Sequence, residues 1–267
     1  MPKVIRLGHI DLSFHAASAA LVHRVLERYG YEVEVRAAPH EAMFKLFGER
    51  QIDLLVSAWL PASHGAYLAA CEVPYTCLTV LYQPYCIWGV PDYISVEDVA
   101  SVADLLKRDV AALMNRRIQG INPGAGISRF SKAMVRAYGL DSLGYYFADG
   151  TEADCFNRFE ASYARNEWFV VPLWHPQYLH HSYSIRALDE PLGLLGGTDE
   201  ATLIATREQV QSMPEPLLAE LAALRPGNAA ISEIDFLIHR AKRSALEAAD
   251  HWLELRCNEG SKGERRS

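Results

Sequence analysis

Long apolar runs are missing from this chain. The longest, such as Phe169-Val170-Val171-Pro172-Leu173-Trp174, fall far short of the roughly 20 residues that cross a bilayer, so no membrane-spanning helix is expected. Positive charge is in deficit: 26 Lys and Arg stand against 33 Asp and Glu, for a net charge of −7. That balance excludes a sequence-independent pull on phosphate backbones or anionic membranes, and nucleic acid is not expected as a partner. Cysteine is scarce and odd in number (Cys71, Cys77, Cys86, Cys155, Cys257), with no C-x-x-C spacing. This argues against a disulfide framework and a zinc knuckle, and for reduced, mostly buried thiols.

Signature motifs of catalysis are also missing. G-x-S-x-G is absent, and no cysteine pairs with a histidine by local spacing. His40-Glu41-Ala42-Met43-Phe44 starts like a zincin helix but lacks the second histidine at i+4. His175, His180 and His181 lie close in sequence, but Pro176 breaks their spacing and no carboxylate or thiol joins them. No metal and no cofactor are expected. The opening Met1-Pro2-Lys3-Val4-Ile5-Arg6-Leu7 alternates like a strand and shows no apolar leader core, which predicts a cytoplasmic location.

What is present is a chain of 267 residues, half of them apolar or aromatic, enough for one large or two modest domains with ample core. Residues 3–10 alternate like a strand. A helical stripe of Leu21, Val25 and Tyr29 follows and closes at Gly30. Glu32 to Arg36 alternates again, His40 to Phe47 is helical, and Ile52 to Val56 is an apolar strand. The first 57 residues thus read βαβαβ, which implies a parallel sheet with ligands beyond the carboxyl ends of its strands. A second α/β set begins near residue 83. It has strands at 86–90, 117–121 and 168–174, and helices at about 102–114 and 128–138. From about Ile185 the pattern changes, and helices run on through Leu255 before a charged tail (258–267) that should fray.

Two features carry chemistry. Gly120-Ile121-Asn122-Pro123-Gly124-Ala125-Gly126 matches neither nucleotide-binding glycine spacing, yet a glycine-rich strand-to-helix turn suits a small anion such as a carboxylate. A plain tight turn explains the segment equally well. Aromatic residues also collect at strand ends and in loops: Phe14, Trp59, Tyr82, Tyr85, Trp88, Tyr145, Tyr146 and Trp174. Trp59 and Trp174 each end an apolar run two residues before a proline, which places both indoles at the sheet edge. Ring faces around a cleft hold a quaternary ammonium group, which cannot donate hydrogen bonds but is drawn to the ring quadrupole. With an anion-binding helix end added, the ligand becomes a zwitterion.

These landmarks resemble the substrate-binding proteins of glycine betaine, proline betaine, choline and carnitine ABC transporters. The matching segments are Val25 to Tyr31 ahead of a strand, Ser57-Ala58-Trp59-Leu60-Pro61-Ala62-Ser63-His64, the Gly120–Gly126 turn, and Leu173-Trp174-His175-Pro176. The resemblance implies an α/β, two-lobed, type II periplasmic-binding-protein fold. Lobe 1 takes residues 1–82 and 186–267, and lobe 2 (83–185) is inserted in it. It also implies a small methylated-amine ligand, an ABC transporter permease as partner, no enzymatic activity, and a periplasmic or extracytoplasmic location as the alternative to the cytoplasmic one. By motif, the family's aromatic cage falls on Trp59 and Trp174, with Tyr145 or Tyr146 in the approximate position of a third member.

The remaining ligand-binding candidates are His9, Asp11, Phe14, His64, Tyr85, Trp88, Asn122 and Gly124. Some relatives carry a tryptophan in the first loop, where this chain has Asp11-Leu12-Ser13-Phe14. Asp11 can pair with a cationic ligand or cap the following helix. A second reading, a cytoplasmic enzyme resembling the thiamine-pyrimidine synthases, draws on the same fold and on His9, His15, His64 and His175.

Overall fold

The computed structural model describes residues 3–263, with side chains through Leu255. Cys257 and the whole of the tail predicted to fray (258–267) therefore lie outside the described side chains. The chain divides into two compact units. One comprises residues 1–83, 176–181 and 200–267, the other 84–175 and 182–199. The boundary expected at 185/186 falls inside the second unit, because Ile185–Ala187 pairs there as a strand.

The first unit begins β1 (Lys3–Ile10), α1 (Ser13–Arg28), β2 (Tyr31–Ala38), α2 (His40–Gly48), β3 (Leu54–Leu60), α3 (Gly65–Ala69) and β4 (Tyr75–Tyr82). Apolar alternation sets β1: Ile5 and Leu7 are fully buried, and the strand pairs in parallel with β2 and β3. α1 buries Ala17, Leu21 and Val25 along one stripe and stops where Gly30 takes φ 77°, a left-handed conformation that glycine adopts freely. Gly8 is needed for close packing, since a Cβ there would meet Met43 Sδ at 2.6 Å and Ile52 Cγ2 at 2.8 Å.

The second unit holds β5 (Tyr85–Pro91), α4 (Arg108–Leu113), β6 (Arg117–Gln119), α5 (Gly126–Ala137), β7 (Tyr146–Ala148), α6 (Glu152–Ala164) and β8 (Val171–His175). The single helix expected at 102–114 is a 3₁₀ turn, Val102–Leu106, followed by α4; the chain is extended at Lys107, between them. α7 (Leu179–Ser182) starts in the first unit, and β9 (Ile185–Ala187) completes the second. β10 (Glu200–Thr206), α8 (Arg207–Ser212), α9 (Glu215–Ala223), α10 (Gly227–Arg240) and α11 (Ala245–Gly263) then finish the first.

The sheets are mixed rather than purely parallel. In the first unit the order is β2-β1-β3-β10-β4, and β10 runs antiparallel to both of its neighbours. A strand that returns late in sequence thus fills the gap between β3 and β4, and its Leu203 and Ile204 are fully buried beside Leu54 and Leu55. Each such side chain contributes about 1.5–3 kcal/mol by leaving water. The second unit has an antiparallel sheet β8-β5-β9 and a parallel pair β6-β7. α5 packs an apolar face that includes Ile127, Met134 and Val135. Among the described residues no helix is long and apolar enough to cross a membrane.

Candidate functional site

In the first unit the carboxyl ends of β1 and β3 deliver the candidates. β3 does not run straight to its end. Val56 and Ser57 together oppose Leu203 of β10, and Ser57 sits at φ 63°. A non-glycine residue in that region is uncommon and costs energy. This bulge re-aims the end of the strand, and Ser57 Oγ becomes a fixed point, 2.9 Å from His15 Nδ1 and 2.5 Å from Tyr82 Oη.

Trp59 follows two residues later. Its indole N–H donates to Tyr82 Oη at 3.0 Å, so the ring has spent its only donor and has just its faces to offer. Other rings surround it: Phe14 at 5.3 Å between centroids, His15 at 5.6 Å, His64 at 6.2 Å in a stacked geometry, and Tyr82 edge-on at 6.4 Å. The backbone N–H of Trp59 donates to His64 Nδ1 at 2.9 Å, and the His64 backbone N–H donates to the Trp59 carbonyl at 2.8 Å. Because Nδ1 accepts, the proton of neutral His64 is on Nε2. His40 packs edge-on against His64 at 5.2 Å, and Phe44 does so at 5.5 Å.

Three imidazoles of this cluster, His9, His15 and His64, are kept toward the neutral form. Burial pushes His15 well below the ordinary histidine range, and the neighbouring His64, His40 and His9 push it further by like-charge repulsion. His9 is also lowered, chiefly by burial, partly offset by its bond to the Ile10 carbonyl and by Asp11. Asp11 itself is exposed. It does not cap α1, whose N-cap position is Leu12 with no side-chain bond.

The candidates of the second unit fall into two groups. Tyr85, 38% exposed, opens β5 and stacks on His175 at 4.7 Å and 21°. Next to that pair Trp174 lies opposite Cys86, buried, with Phe156 at 6.0 Å. Asn122 and Gly124 stand in the turn before α5. The N-cap of that helix, Ala125, makes no side-chain bond, and no acidic residue occupies the first turn. Arg129 donates to the Gly124 carbonyl at 2.5 Å. Positive charge and first-turn N–H groups therefore coincide there, an arrangement that favours an anion.

Trp88 and Tyr145 are committed to the interior. Trp88 is fully buried and donates its indole N–H to Ser131 Oγ at 2.8 Å. Tyr145 donates to the Leu105 carbonyl at 3.1 Å, and the Arg116 guanidinium lies 4.8 Å over its ring. Tyr146, on β7, is 51% exposed.

The structure therefore brings His9, Phe14, Trp59 and His64 into one neighbourhood of the first unit, and Tyr85 and Trp174 onto adjacent strands of the second. Both Trp59 and Trp174 are buried, near strand ends as expected but not as exposed edge residues. The side chains that sequence reasoning leaves out of the ligand-binding set are Ser57, Tyr82, His15 and His40. A serine at positive φ has no sequence signal, and the start of α2 reads only as half of a metal motif. Among the described residues no group of three or more His, Cys, Asp or Glu is placed to hold a metal.

A glycine betaine/carnitine transport binding protein of Listeria monocytogenes is 22% identical over 108 residues, 40% of this chain and 36% of that relative's length. Solved structures superpose over nearly the whole chain. Lactococcal OpuAC, closed on glycine betaine, has a TM-score of 0.82 at 21% identity and covers 97% of this chain and 98% of its own. ProX of Borrelia burgdorferi reaches 0.82 at 21%, covering 94% and 93%. A choline-binding protein in complex with choline reaches 0.81 at 17%, covering 96% and 89%. All three are two-lobed binding proteins, so the α/β two-lobed fold class is established. The family described as the substrate binding domain of ABC-type glycine betaine transport systems matches residues 3–255, and this chain belongs to it.

Proposed function

We propose that the chain binds a small quaternary amine of the glycine betaine or choline class and releases it unchanged to an ABC transporter permease. The observation that carries this reading is the ring cluster around Trp59. An indole with its N–H already bonded, surrounded by Phe14, Tyr82 and neutral imidazoles, supplies ring faces and little competing positive charge. That is the environment a methylated ammonium prefers. In the second unit, taken by itself, the turn at Gly124 favours an anion such as a carboxylate.

Features of the same residues speak against covalent chemistry. Ser57 and His15 are in contact, but an imidazole held well below its ordinary range is a poor base at neutral pH. Burial also raises all four described thiols: Cys71, Cys77, Cys86 and Cys155. They stay protonated and weakly nucleophilic.

Calorimetry with choline, glycine betaine, carnitine and related methylated amines should find at least one ligand at micromolar affinity or better, about 8 kcal/mol. Mass spectrometry should recover that ligand intact after incubation. Flat traces for every methylated amine would sink the reading, and a chemically altered ligand would replace it with an enzymatic one.

A further inference from the structure

We propose that β2 is a self-pairing edge through which two copies of this chain form a weak two-fold dimer. Among the described residues, β2 is the outermost strand of the first unit's sheet and pairs with β1 alone. Its eight residues are mostly exposed, and Val35 is 46% accessible. An unpaired edge of that length is a template for another strand unless it is blunted.

The direction of its free backbone groups can be read from the ladder. Asp11 N–H donates to the Ala38 carbonyl at 2.9 Å, continuing the parallel β1–β2 pairing. In such a ladder alternate residues bond the same neighbour. The even-numbered residues Glu32, Glu34, Arg36 and Ala38 therefore turn their N–H and C=O toward β1, and Tyr31, Val33, Val35 and Ala37 turn theirs outward.

Charge then selects the register. In an antiparallel pairing centred on Val35, Val35 faces Val35 of the second copy, Val33 faces Ala37, and Glu34 faces Arg36 twice over. Shifting the centre by one residue either way sets Glu34 against Glu34 or Arg36 against Arg36. In the favoured register Val35 and Val33 fall at hydrogen-bonded positions, where their outward groups make about six interchain bonds. The Glu34–Arg36 pairs fall at the non-hydrogen-bonded positions, where side chains approach most closely. Backbone direction and charge sequence thus agree on one arrangement, and a strand edge alone buries less than a stable dimer needs, so the association is weak.

The test starts with the wild-type protein. Sedimentation equilibrium should show a reversible monomer–dimer equilibrium with a dissociation constant on the order of tens to hundreds of micromolar. Hydrogen exchange at Val33, Val35 and Ala37 should slow as concentration rises, while the Glu34 and Arg36 amides, already bonded to β1, do not change. Arg36→Glu and Glu34→Arg should each weaken self-association roughly ten-fold or more by opposing like charges. Mixed together, the two variants should form a heterodimer, because a strand acidic at both positions then faces a strand basic at both. A monomer up to millimolar concentration, a dimer without slowed exchange at the odd positions, or variants that fold but do not complement each other would overturn the proposal.

Discussion

The two units use their aromatic side chains in opposite ways. In the first, Trp59 is held by a phenol, Tyr82, and surrounded by rings whose other neighbours are imidazoles. In the second, Trp88 and Tyr145 bond to Ser131 and to the Leu105 carbonyl and serve as packing. The first unit also buries His9, His15, His23, His40 and the Asp235 carboxyl, whereas the buried polar side chains of the second are mostly neutral ones such as Gln119, Ser128, Ser131 and Ser162. An aromatic residue at a strand end therefore says little by itself. What its polar atom bonds to separates a ligand face from a core anchor.

The comparison breaks first at Trp88. Replacing it with alanine empties a fully buried site and strands Ser131, so we expect a loss of about 3–5 kcal/mol in stability. Chemical denaturation would read this as a lowered midpoint. If Trp88→Ala instead stays fully stable and loses ligand affinity, Trp88 belongs to the site and the contrast fails.

The buried charges of the first unit give the next effect. Asp235, on α10, is enclosed, and burial pushes its carboxyl up to about 7 even though it accepts the Tyr178 backbone N–H at 2.8 Å. The folded state then holds a proton that the unfolded chain releases near the ordinary value of 3.8, so stability falls as pH rises from about 4 through 7. Asp235→Asn keeps an acceptor for Tyr178 and removes this loss. Its advantage over wild type should grow to the order of 3 kcal/mol between pH 4 and pH 8, measured by thermal denaturation across that range. His15 acts in the opposite sense: its folded value lies below the ordinary 6.5, so its contribution is complete above that pH and lost as pH falls below it. A wild-type stability that is flat from pH 4 to 8, unchanged by Asp235→Asn, would remove the electrostatic half of the comparison.

Trp59→Ala should cost the ligand one cage face. A desolvated cation–π contact is worth about 2 kcal/mol, or roughly thirty-fold in affinity. Trp252, on α11, serves as the control, because its replacement should disturb packing without touching affinity for choline or glycine betaine. Equal losses from both variants, each measured on folded protein, would show that Trp59 too is only core.

Much of this was legible in the sequence, and the reasons for the exceptions are local. Alternation marks β1 and β2, and the stripe through Leu21 and Val25 marks α1; in β1 and α1 the apolar face leaves water, whereas β2 keeps its alternation at the exposed sheet edge. β10 is different. Its place between β3 and β4 depends on a chain reversal more than a hundred residues after β4, which no local pattern encodes. β9 is three residues long, too short for periodicity to register. At the site, Trp59 and His64 stand out by motif and Phe14 by its place after β1, although it stands in the first turn of α1 rather than in the loop expected. The network that orients the indole does not stand out, because Ser57 works through a backbone conformation and Tyr82 through a hydroxyl arriving from another strand.

That network supports the smallest and most discriminating effect. Tyr82→Phe removes one oxygen, which accepts from the Trp59 indole and bonds Ser57 Oγ, and leaves every ring in place. The unsatisfied indole N–H should cost about 1 kcal/mol, and because the indole loses its fixed orientation, part of that cost should appear as a roughly two-fold drop in affinity for choline or glycine betaine. Tyr145→Phe in the second unit is the matched change. It also deletes one buried hydroxyl, which bonds the Leu105 carbonyl, and it should lower stability by a similar amount while calorimetry finds affinity unchanged. If the two substitutions alter affinity equally, the bonding of the phenol does not distinguish ligand-facing from structural aromatics. The assignment of Trp59 would then rest on its ring neighbours alone.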